Sequence, residues 1–172
     1  MINTNVRAIK IHDNGLYKIS VDRSLCTHCG RQQSCEAFKA NNRMNKKYSV
    51  VSLVKECAEY TYPIVFQDEQ GTEGKFNTIR LGEAWSKRLK AGDRVALVNK
   101  TGETFGFATV IVLQNGDKNE ILQNHAYKNH LYLNKKMSKE EAGKHLIKRL
   151  PSIYGNLIAS NNDKATVIYL ES

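Results

Sequence analysis

The stretch Gly74-Lys75-Phe76-Asn77-Thr78-Ile79-Arg80 decides the reading of the fold. It leaves a glycine-bounded loop, Gly71 to Gly74, and reads as a β-strand. Before it, Ile64 to Phe66 reads as another strand, entered across a boundary at Tyr60-Thr61-Tyr62-Pro63. After it, Glu83 to Lys90 predicts a short helix with Trp85 and Leu89 on one face, and Gly92 lies where a helix C-cap is expected. Arg94 to Asn99 and Glu103 to Leu113 predict paired strands around Lys100-Thr101-Gly102, with Phe105, Phe107, Thr109 and Ile111 on one side of the second. Ser138 and Glu141 form a capping-box pattern. The helix they open carries Ala142, Leu146 and Leu150 and is expected to stop at Pro151. Ala165 to Leu170 is a closing apolar strand. Strands with two short helices predict an α+β architecture built around a barrel.

The N-terminal third is organised differently. Val6 to Ile11 and Leu16 to Val21 flank Asp13-Asn14-Gly15 and predict a β-hairpin. The chain's four cysteines then follow as Cys26-x2-Cys29-x5-Cys35, with Cys57 after a longer gap. A Cys-x2-Cys turn folds two thiolates toward one metal, and Gly30 relieves the backbone directly after it. Four thiolates complete a closed tetrahedral site, which is structural rather than hydrolytic. Zinc and a [4Fe-4S] cluster both fit this pattern. His28, inside the first turn, is either a substitute ligand or a solvated loop residue. So small a segment, poor in large apolar residues, would draw much of its folding energy from ligation. The expected division is a metal-binding segment over residues 1–62 and a barrel domain over 63–172.

The net charge is +9, and residues 1–62 hold 10 Lys/Arg against 5 Asp/Glu, more than half of the excess. The densest stretch sets Arg31, Lys39, Arg43, Lys46 and Lys47 against only Glu36. Clustered cations attract polyanions, so a nucleic-acid surface is one reading and a solvated basic face the other. No apolar run approaches the ~20 residues of a membrane span, and the first residues lack an apolar signal core. A cytoplasmic location is expected, where reduced cysteines suit a metal better than disulfides.

Gly74 to Arg80, then Trp85, then Lys90-Ala91-Gly92-Asp93-Arg94-Val95, then Phe105-Gly106-Phe107-Ala108-Thr109-Val110 resembles the ASCH family of the PUA-like superfamily. The late Tyr154-Gly155 and the closing strand are also similar. The resemblance covers roughly residues 63 to 172. It implies a PUA-like β-barrel with flanking short helices and a cleft beside the Thr78-Ile79-Arg80 strand. Some members of the family bind RNA. Others are amidohydrolases that deacetylate N4-acetylcytidine with a Lys, a Thr and a Glu. The Lys and Thr fall on Lys75 and Thr78, where a hydroxyl would attack an amide as an amine takes its proton. The region matching the Glu, His125-Ala126-Tyr127-Lys128-Asn129, holds no carboxylate; Glu120 and Glu140 are merely near in sequence.

That absence weighs toward binding over catalysis. The expected ligand-binding residues are Lys75, Thr78, Arg80, Trp85, His125, Tyr127 and Lys128. Trp85 reads as a core anchor or a stacking platform, and Arg80 as a phosphate or base contact or as an ion-pair partner. Three functions stay open: an RNA- or nucleotide-binding protein; an amidohydrolase of a modified nucleoside or a ribonuclease; and a module that docks a protein partner.

Overall fold

The computed structural model describes residues 6–10, 26, 29–48, 50–54 and 60–172. Strand β1 (Val6–Lys10) pairs antiparallel with β2 (Val50–Val54), in the register Val6↔Val54 to Lys10↔Val50. The strand expected beside Val6–Ile11 was Leu16–Val21. That segment and its Asn-Gly turn lie outside the described residues. Between β1 and β2 runs helix α1 (Glu36–Tyr48), which holds no Gly or Pro and has Glu36 in its first turn, where the helix dipole favours a carboxylate.

The main sheet contains β3 (Tyr62–Val65), β4 (Lys75–Leu81), β5 (Arg94–Val98), β6 (Thr104–Asp117) and β7 (Lys164–Glu171). Their order is β3-β5-β6-β7-β4, with β3 parallel to β5 and the other neighbours antiparallel. The α+β class holds, but the sheet does not close into the expected barrel. Edge strands of a flat five-stranded sheet would lie about 19 Å apart. Here Phe66, just past β3, and Phe76 of β4 have ring centroids 6.2 Å apart. The sheet therefore curls until its edges meet through side chains. Strand β3 is four residues long and contains Pro63, which has no N–H to give to a closing ladder. Arg80 spans the seam instead, its Nη2 donating to the Val65 carbonyl at 2.7 Å. Burying each phenylalanine stabilises by about 2–3 kcal/mol, against about 1 kcal/mol net for a ladder hydrogen bond. Packing alone can hold such a seam.

Two apolar clusters lie on the sheet's two faces. Ile64, Phe66, Phe76, Val95, Leu97, Val110, Ile168 and Leu170 fill the concave side, capped by Leu89 and half-buried Trp85. Ile79, Ala165 and Val167 pack on the other side against α2 (Lys118–His125), a 3-10 turn (Ala126–Lys128), α3 (Lys139–Tyr154) and α4 (Asn156–Asn161). The capping box that opens α3 is present: Ser138 Oγ accepts from Glu141 N–H, and Glu141 Oε2 accepts from Ser138 N–H. Three local expectations are corrected. Residues 84–88 form turns rather than a helix. Helix α3 runs through Pro151, whose ring is exposed, to Tyr154, and ends at Gly155 with φ 83°. Helix α2 was not anticipated; Asp117 caps it, its Oδ1 accepting from the N–H groups of Asn119 and Glu120. None of the described helices is long and apolar enough to cross a membrane.

The loop after Cys29 is tied to the sheet. Gly30 N–H donates to the Thr61 carbonyl at 2.8 Å, and Thr104 Oγ1 donates to the Gly30 carbonyl at 2.6 Å. A Cβ on Gly30 would lie 2.1 Å from Ala96 Cβ, so only glycine fits against β5 there. Gly30→Ala is expected to destabilise by about 1–3 kcal/mol, read by thermal unfolding. Gly106→Ala, whose new Cβ would meet only Leu97 Cδ1 at 3.6 Å, should cost far less.

Candidate nucleotide-binding cleft

Strand β4 is buried from Phe76 to Ile79, since the concave cluster covers one face and the helices the other. At its C-terminal half the sheet seam and α3 leave a cleft of about 50 Å³, lined among others by Val65, Phe66, Thr78, Arg80, His130, Arg149 and Tyr154. Among the described residues no carboxylate lines it.

Arg80 is the centre of this cleft. Its guanidinium carbon lies 5.2 Å from the Phe66 ring centroid and 5.6 Å from that of Trp85, so aromatic rings hold it. Nη2 is used on Val65, while Nε is buried with no hydrogen-bond partner. Among the described residues no carboxylate lies within 4.0 Å of it. Burial pushes the pKa of Arg80 down from its ordinary value, and Tyr154 works in the opposite direction. Arg149 of α3 adds a second cation to the lining.

His130 is 8% exposed and packs edge-on to Phe66, with ring centroids 5.0 Å apart. Burial pushes its pKa down to about 4, helped by the Arg80 and Arg149 charges and opposed by the Gln70 carbonyl and Asp68. Its Nδ1 lies 3.0 Å from the Gln70 carbonyl, which can only accept, so Nδ1 carries the proton of the neutral ring and Nε2 keeps a lone pair. Because the folded pKa is below 6.5, the unfolded chain binds more protons between those two values. Stability should therefore fall as pH drops from about 6.5 to about 4, by up to about 3 kcal/mol for this group. Denaturant unfolding across that range should show the loss, and His130→Gln should flatten it.

The other expected site residues are distributed more widely. Lys75 is 78% exposed, with Nζ 3.7 Å from Glu171 Oε1. Thr78 is 3% exposed and lines the cleft. An offset of three sets the two on opposite faces of β4, so the strand does not join them into a pair. Glu120 is exposed in the first turn of α2 and Glu140 pairs with Lys144 at 2.6 Å; neither lines the cleft. His125 Nδ1 is 2.8 Å from the Tyr169 hydroxyl, and Lys128 Nζ is 5.5 Å from the ring of exposed Tyr127. His125, Tyr127 and Lys128 do not line the cleft. Trp85 is both core and neighbour of the site: half-buried on the concave cluster and against Arg80.

The cleft residues not singled out are Phe66 and Arg149, whereas His130 belongs to the aromatic stretch His125, Tyr127, His130 and Tyr132 that the sequence offers beside Lys128. Arg149 carried a legible signal, a cation three positions after Leu146 and beside Leu150 on the helix's apolar stripe.

In the N-terminal segment, Cys29 N–H points to the Cys26 carbonyl at 3.4 Å, forming a turn, and the Cys35 carbonyl accepts from Lys39 N–H as α1 starts. Cys26, Cys29 and Cys35 are each half-buried. Cys57 and His28 lie outside the described residues, and among the described residues no three His, Cys, Asp or Glu side chains gather to hold a metal ion. Lys39, Arg43 and Lys47 are exposed and recur at four-residue spacing, on one face of α1. Lys39 pairs with Glu36 at 2.7 Å. Lys46 lies in the same helix, and Arg31 is half-buried in the turn before it.

No protein-family model matches the chain, and no curated protein does. Among solved structures it is similar to the crystal structure of a mutant of ZmASCH from Zymomonas mobilis, with a TM-score of 0.38 and 14% identity. That match covers 64% of this chain and 68% of the other.

Proposed function

We propose that the protein binds RNA by taking a phosphate or base edge of a nucleotide into the Arg80 cleft, and that it recognises rather than hydrolyses this ligand. One observation carries the reading: a half-buried guanidinium whose Nε–H is buried and unused, with no carboxylate partner among the described residues. An unsatisfied buried donor costs about 1–3 kcal/mol until an acceptor meets it. Arginine's planar fork suits a phosphate or the acceptor edge of a base. Arg149 adds charge, and neutral His130 offers an acceptor that a bare anion could not use. The motif resemblance to the RNA-associated ASCH family points the same way. The separation of Lys75 from Thr78 across β4 favours recognition over amide hydrolysis.

The exposed cations of α1 would extend the contact along the phosphate chain. RNA affinity should then fall steeply between about 50 and about 200 mM salt. Arg43→Glu alone should flatten the slope of log K against log salt by about 0.7. Fluorescence anisotropy with a labelled single strand measures both. Absent or salt-insensitive binding would sink the proposal.

We infer also that Cys26, Cys29, Cys35 and Cys57 hold one structural metal centre, zinc or [4Fe-4S]. The Cys26–Cys29 turn and the tight seating of Gly30 directly after it support this reading.

A further inference from the structure

A run of rings and guanidinium groups leads from the Cys29 loop to the cleft. Tyr60 and Tyr62 meet edge to face at 6.2 Å, and Tyr62 and Trp85 do so at 5.7 Å. All three rings are half-buried, so each keeps part of its surface in solvent. Arg88 is exposed, 6.0 Å from the Trp85 centroid. On the inner side Trp85 meets Arg80, which leads to Phe66 and the cleft. At the outer end the Thr61 carbonyl, next to Tyr60, accepts from Gly30 N–H, directly after Cys29. The turns at 84–88 make this run, because they bring Trp85 against Tyr62 and leave Arg88 outside.

The chemistry of the run selects its partner. Among the described residues, exposed aliphatic side chains, which a docked protein helix would seek, are not part of the run of Tyr60, Tyr62, Trp85 and Arg88; aromatic faces and a cation are. Aromatic faces beside guanidinium groups suit a polyanion whose rings are free to stack. In a duplex those faces are already stacked on each other.

We propose that Tyr60, Tyr62 and Trp85, with Arg88, form a track for an unpaired nucleic-acid strand whose end enters the Arg80 cleft. Only that last step rests on the cleft reading above. Stacking on an aromatic side chain is worth about 5- to 150-fold in affinity per base.

Trp85 is the chain's single tryptophan, so its fluorescence reports on the track directly. The test titrates the full chain with an unstructured oligopyrimidine of roughly 10 nucleotides, within the usual size of single-strand sites. A blunt duplex of the same sequence and UMP are titrated in parallel. The oligomer should quench Trp85 and bind at least about 10-fold more tightly than UMP, and the duplex should not quench. Tyr62→Leu and Arg88→Glu should each weaken the oligomer by about 5-fold or more and leave UMP unchanged. Arg88 is exposed, so its variant keeps the test decisive even if Tyr62→Leu fails to fold. Equal quenching by the duplex, an oligomer no tighter than UMP, or an unchanged oligomer affinity in Arg88→Glu would overturn the track. If UMP does not bind while Arg88→Glu still weakens the oligomer, the cleft reading fails and the track stands.

Discussion

Arg80→Met should lower nucleotide affinity by about 10-fold or more while leaving the protein as stable as before, or more so. The two halves of this result have one cause. Methionine keeps an apolar stem between the Phe66 and Trp85 rings but removes a half-buried charge, with its unsatisfied Nε–H, that no described carboxylate meets. The folded state is relieved of that charge, losing the donation to Val65 and the interaction with Tyr154. A bound phosphate or base edge loses its charge-assisted donor, worth about 1.5–3 kcal/mol for one such bond. Arg80→Lys should not restore binding, because a single ammonium cannot serve Val65 and a ligand at once or lie flat between two rings. Calorimetric titration with UMP and thermal unfolding read the two halves separately. A variant that unfolds readily would make Arg80 a structural peg of the open seam instead.

Metal removal should have the second large effect, and it should be local. If four thiolates hold one metal, ligation contributes on the order of 10 kcal/mol to folding of the N-terminal segment. Chelation, or Ser in place of any of Cys26, Cys29, Cys35 and Cys57, should free that segment and loosen Gly30 from Thr61 and Thr104. The curled sheet, with its own two clusters, should stay folded. Limited proteolysis should then cut before about residue 60 and spare the remainder. Elemental analysis distinguishes zinc from iron, and metal-free protein with an unchanged digest would contradict the reading.

Local signals were the most legible. The Ser138–Glu141 capping box acts within four residues and appears as expected. The strands β4 and β7 likewise follow from runs of apolar and β-branched residues. The segment at 83–90 shows why spacing alone can mislead. Trp85 and Leu89 share one i→i+4 bond of 3.0 Å, but the Lys90 N–H is taken by Asp93 Oδ2 and Gly92 turns the chain away at φ 88°. Closure of the sheet was not legible, because it depends on whether β3 and β4, at opposite edges, pair; neither strand encodes that alone. The cleft was half legible for the same reason. Thr78 and Arg80 lie in the motif, whereas His130 and Arg149 reach them only through the helical layer. The basic stretch, by contrast, needed only a helix to become one face.

The most direct test of the Arg80 cleft follows the Arg80 Nε–H itself by NMR as UMP and then a short RNA are added. This resonance should shift on binding and become slower to exchange, as a free donor gains an acceptor. Binding that leaves the Arg80 Nε–H unmoved would contradict the cleft reading.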